Sequence, residues 1–115
     1  MVAGSCYPGD AESFCETISK YLKNAKIIDV NGEIIVLILL NTGYAYSGYT
    51  AANSYKQVKG NRYDVVIVLA PSRHETFSGV FVFNNDGYET PLGIVPAEKT
   101  IANAIIDKHE NIRFT

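Results

Sequence analysis

The chain has 115 residues, the length of one domain, and carries 10 Lys and Arg against 12 Asp and Glu for a net charge of −2. That balance excludes a basic domain built to coat nucleic acid, and 47% apolar residues permit a core and argue against disorder. Two cysteines are too few for an all-cysteine zinc site or a disulfide scaffold, the longest apolar run is seven residues (34–40), and no charged-then-apolar leader opens the chain, so a soluble cytoplasmic domain without a membrane span is expected.

Residues 1–9 read as a flexible arm ahead of a single domain over 10–115. Asp10 suits an N-cap, and over residues 11–23 Ala11, Phe14, Cys15, Ile18, Tyr21 and Leu22 fall on one helical face, with the charges opposite. Residues 25–30 and 33–40 read as strands joined by Asn31-Gly32, a dipeptide suited to a type I′ hairpin. The second of these is almost wholly aliphatic, as in a strand buried on both faces. Thr50 and Gly60 bracket a short helix over 51–59. Residues 63–70 form a strand ended by Pro71, and residues 77–83 form another. A turn over 84–87 leads to an irregular edge-like strand at 88–95. Pro96 suits the first position of a helix reaching 110. The order α-β-β-α-β-β-β-α with hairpins implies an α+β fold, a single antiparallel sheet flanked by the N- and C-terminal helices.

Chemistry-bearing patterns are sparse. His74 lies in Ser72-Arg73-His74-Glu75 between two strands, and a small hydrolase would pair it with Ser72 or a cysteine. No Gly-x-Ser-x-Gly elbow supports that, and a solvated loop is the simpler reading. His109 falls on the apolar half of the last helix, where its ring packs. Cys6 and Cys15 lack Cys-x-x-Cys spacing, and Cys15 reads as a small buried hydrophobe. Asn84-Asn85-Asp86-Gly87 lacks the ligand pattern of a calcium loop, and no phosphate-binding glycine motif is present. No catalytic residue, metal site or cofactor is therefore expected.

One stretch is distinctive. Tyr44, Tyr46, Tyr49 and Tyr55 stand among Gly, Ser, Ala and Asn, with Lys56, Lys59 and Arg62 adjacent. Tyrosine offers a large amphipathic contact at low entropy cost, so this reads as a recognition surface for a protein, with Arg73 as a further cation facing an acidic partner. The alternative is that the tyrosines cover one face of a strand.

The element order, with Ile27-Ile28-Asp29-Val30-Asn31-Gly32-Glu33 after the first helix, Gly60-Asn61-Arg62-Tyr63-Asp64 before a strand, and Leu92-Gly93-Ile94-Val95-Pro96 before the last helix, resembles the profilin family. That resemblance implies a non-catalytic domain that binds monomeric actin and modulates its polymerisation. It places the contact on Lys56, Lys59, Arg62, Arg73, Lys99 and Asn103. The absence of Trp counts against the family's grip on polyproline. Roadblock light chains share the order and would imply a dimeric scaffold regulating small GTPases.

Overall fold

Asp10 opens the first helix as its chemistry dictates. In the computed structural model, which describes residues 3–115, its carboxylate accepts from Ser13 N at 2.8 Å, and α1 runs over Ala11–Asn24. The Ser13 amide holds the Asp10 carboxyl below its ordinary value of 3.8. The cap is thus present above that value and is lost as acid protonates it. Phe14 is buried, with Ile18, Tyr21 and Leu22 half-buried along the same face. Cys15, expected on this face, is exposed, because one residue on from Phe14 turns the side chain well away around the helix.

The chain forms two compact units, Met1–Tyr63 and Asp64–Thr115, each described by itself. In the first, α1 packs against α2, Tyr44–Val58. This helix begins well before the expected start at 51. Its glycine and serine lower helix propensity, but Ser47, Gly48 and Ala52 are the residues buried here, so packing overrides propensity. The Ser47 hydroxyl donates to the Thr42 and Gly43 carbonyls at 3.0 and 3.3 Å, and Tyr44 N donates to Cys6 O at 2.9 Å. Gly60, with φ +88°, follows the helix in the left-handed conformation expected of it.

The first expected hairpin does not form. A type I′ turn needs positive φ at both central residues, and only Gly32 has it, at +94°. Residues 25–30 instead lie along α2, where side-chain amides replace a strand partner. Asn53 Oδ1 accepts from Lys26 N at 3.1 Å, Gln57 Oε1 accepts from Ile28 N at 2.9 Å, and Gln57 Nε2 donates to Lys26 O at 2.7 Å. Residues 33–40 join no ladder; the Tyr63 hydroxyl donates to Ile34 O at 2.9 Å.

Residues 63–70 likewise join no ladder, and in the second unit the strand expected at 77–83 contracts to β1, Val80–Val82. The single strand expected at 88–95 is a hairpin, β2 (Gly87–Thr90) and β3 (Gly93–Pro96), with Tyr88 opposite Val95. Pro91 has no N–H for a ladder, and Thr90 Oγ1 closes the turn by accepting from Leu92 N and donating to Gly93 O. Pro96 therefore ends a strand. The last helix, α3, starts later, at Lys99–Ile106, with Glu98 as its cap. It packs against β4, Ile112–Phe114, which returns parallel to β1 with Val80 opposite Ile112.

The fold is α+β, with three helices among the described residues. The single antiparallel sheet is replaced by a parallel pair, β1–β4, and an antiparallel pair, β2–β3. Parallel pairing needs a crossover connection, which the path through β2, β3 and α3 supplies and a chain of hairpins does not. The terminal helices do not share a sheet: α1 covers α2, and α3 covers β4. Among the described residues no helix is long and apolar enough to cross a membrane.

Candidate recognition cleft

The α1–α2 contact is aromatic on one side and open on the other. Tyr21 meets Tyr49 edge-on, with ring centroids 4.6 Å apart, and Tyr44 lies 6.4 Å from Tyr21 and 6.1 Å from Phe14. Tyr7, from the segment expected to be an arm, adds its ring 5.4 Å from Phe14 and 5.6 Å from Tyr44. Such tilted and edge-to-face pairs set the electropositive ring edge on a neighbour's π face. The Tyr21 hydroxyl also donates to Tyr44 O at 3.3 Å, tying α1 to the first turn of α2. Burial pushes the Tyr44 phenol above its ordinary 10.0, and the neighbouring phenols of Tyr55, Tyr7 and Tyr21 add to the shift.

Beside this cluster a half-open cleft of about 370 Å³ lies within the first unit. Ile18 and Leu22 form one wall, Ala51 and Tyr55 another, and Leu39 and Leu40 close one end. Gly48 keeps the helices close: a Cβ there would stand 2.4 Å from Tyr21 Cε2. The cleft is mostly apolar, with Thr42, Ser47 and the tyrosines Tyr21, Tyr44 and Tyr55 in its lining, a make-up common in small binding sites.

The expected surface residues separate into different roles. Tyr44, Tyr49 and Tyr55 belong to the seam or the cleft, whereas Tyr46 is 85% exposed on the opposite side of α2. Lys56 donates from Nζ to Leu22 O at 3.0 Å, placing a cation on the last turn of α1, where the helix dipole favours it. Lys59 and Arg62 are exposed just beyond α2. Arg73, Lys99 and Asn103 belong to the second unit; Lys99 pairs with Asp86, and the Asn103 carbonyl accepts from Asp107 N. A helical spacing of Tyr44, Gly48, Ala51 and Tyr55 marks the cleft face of α2, a period that the low propensity of the stretch concealed.

His74 lies in an exposed loop, the simpler of its two readings, whereas His109 does not pack its ring as expected. Ser72 Oγ accepts from Glu75 N at 3.1 Å and closes a local turn; among the described residues no hydrogen bond joins it to His74. His109 is exposed beyond the end of α3, and its Nδ1 accepts from Asn111 N at 3.1 Å. Cys6 and Cys15 are both free thiols.

A family model described as "Memo: Memo-like protein" matches residues 1–115. A MEMO1 family protein of Nitrosopumilus maritimus is 32% identical over 118 residues, covering 99% of this chain and 43% of that protein. One from Methanobrevibacter smithii is 31% identical, covering 91% of this chain and 41% of its own length. The "Protein memo-1 homolog" of Caenorhabditis elegans is 34% identical over 93 residues, 79% of this chain and 25% of that protein. The chain thus spans less than half the length of these curated relatives. No solved structure matches it. These matches overturn the profilin resemblance and, with it, the actin-binding and roadblock readings. The shared order of elements was a pattern that many small α+β chains produce, and the order itself is absent from the structure.

Proposed function

The chain belongs to the Memo-like family, and from that premise we propose that its first unit is a protein-recognition surface that acts by binding rather than by turnover. The observation that carries this reading is the half-open apolar cleft between α1 and α2, with Tyr55 at its wall and Leu39 and Leu40 at its end. A cleft of this kind accepts an apolar or aromatic side chain of a partner polypeptide as an anchor, while phenol hydroxyls fix its orientation. Lys59 and Arg62, exposed beyond α2, add a basic rim that speeds encounter with an acidic segment.

A peptide-display selection on the immobilised chain tests this. The expected peptides share one apolar anchor beside acidic residues. Tyr55→Ala should weaken their binding about 30-fold, roughly 2 kcal/mol at a buried anchor. Lys59→Glu with Arg62→Glu should slow association, and added salt should mimic that loss. A selection that yields no peptide, or only peptides indifferent to Tyr55→Ala, overturns the reading.

A further inference from the structure

The helices of the described residues begin differently. Asp10 caps α1 and Glu98 caps α3 with their own carboxylates, whereas Gly43, ahead of α2, brings no side chain to the task. The first amide of α2 is served from a distance: Tyr44 N donates to Cys6 O at 2.9 Å. Cys6 belongs to a turn within residues 3–9 that Gly4 N closes by donating to Tyr7 O at 2.8 Å, with Gly4 in the left-handed region at φ +85°. From the same turn the Tyr7 ring lies against Phe14 and Tyr44. Tyr44 is therefore held at its amide by Cys6, at its ring by Tyr7 and Phe14, and at its carbonyl by the Tyr21 hydroxyl. Tyr44 and Tyr21 line the cleft, and Tyr7 stands behind that lining.

Resting on the reading of the cleft as a binding site, we infer that the turn within residues 3–9 regulates that site, with Tyr7 as the positioning residue that sets the Tyr44 wall. Docked, the turn fixes the first turn of α2 and the Tyr44 ring. Released, it leaves the Tyr44 amide without its acceptor and the Tyr44 ring without one of its neighbours, so the wall loses its fixed position. An occupant of the cleft meets a formed wall only in the docked state and favours that state. By linkage, docking favours the occupant to the same extent. Release is a local event because the turn is held by few contacts: Gly4, Ser5, Cys6 and Gly9 are exposed, and Tyr7 carries the ring contacts. The shape of the cleft is thus set in part by a segment outside its lining.

Two substitutions release the turn by different routes. Tyr7→Ala removes the ring. Gly4→Val leaves every ring in place and acts through the backbone alone, since a Cβ at Gly4 meets nothing within 4 Å while a β-branched residue is disfavoured at φ +85°. In the uncomplexed chain each should speed exchange of the Tyr44 amide at least ~10-fold and leave the amides in the last turn of α2 as slow as in the parent. With a peptide from the selection above, each should weaken binding about 10-fold, a typical coupling between sites, at an unchanged stoichiometry of one per chain. A chain that is merely less stable would lose binding capacity instead. Tyr7→Phe, which keeps the ring, should restore the parent's affinity. Peptide binding that falls with Tyr55→Ala but is unmoved by Tyr7→Ala and Gly4→Val overturns the inference and leaves the reading of the cleft standing. Faster exchange along both helices alike also overturns it, because the turn would then support the whole seam and not the cleft wall. A parent chain that selects no peptide overturns the reading and the inference together.

Discussion

The run at residues 34–40 is far more apolar in sequence than the α1–α2 seam, yet it is the seam that is buried. Phe14 is 8% exposed and Ala52 4%, whereas Ile38 is 91% exposed. The cause lies in the backbone. A helix satisfies its own N–H and C=O groups, so α1 and α2 need only one another to bury a face. A strand leaves every main-chain group to a neighbour, and hydrophobicity alone does not supply one. Where a side chain does act as a neighbour, as Gln57 and Asn53 do for Lys26 and Ile28, the chain is held along one edge without becoming a sheet.

The largest effect expected within this contrast comes from the seam. Phe14→Ala removes the ring that joins Tyr7 to Tyr44 and should cost about 3 kcal/mol in urea unfolding followed by helical circular dichroism. A loss well under ~1 kcal/mol would mean that the seam is not what holds the helices. Gly48→Ala is smaller and tests close approach. Alanine gains about 1 kcal/mol of helix propensity, against about 1–3 kcal/mol for overpacking, and with the Tyr21 ring 2.4 Å from the new Cβ the clash should win by about 1 kcal/mol. In a Tyr21→Ala background the same change should become stabilising, and a sign that does not reverse would separate Gly48 from Tyr21. Smallest of all is Ile38→Ala, expected within about 0.5 kcal/mol of the parent because the side chain is already in water. A loss of several kcal/mol would instead show that the run is buried.

Much of the helical half was legible in the sequence. Asp10 and the Phe14, Ile18, Tyr21, Leu22 spacing fix α1 locally, because caps and a 3.6-residue period need no distant partner. The start of α2 was hidden by Gly48 and Ser47, whose low propensity is outweighed by a contact that only the folded chain displays. Strand pairing was the least legible. Residues 33–40 carry the strand signal but not the identity of a neighbour, and β4 pairs with β1 across a helix that hairpin reasoning does not anticipate. The cleft was half legible: the tyrosines drew attention, but their division between seam, cleft and solvent follows from the helical phase of α2.

Amide hydrogen exchange of the chain on its own tests the contrast most directly. Amides inside α1 and α2 should be protected as one cooperative unit, and those of residues 35–40 should exchange at nearly the rate of an unstructured peptide. Protection of residues 35–40 equal to that of α2 would contradict the account, since it requires main-chain partners that the first unit does not provide.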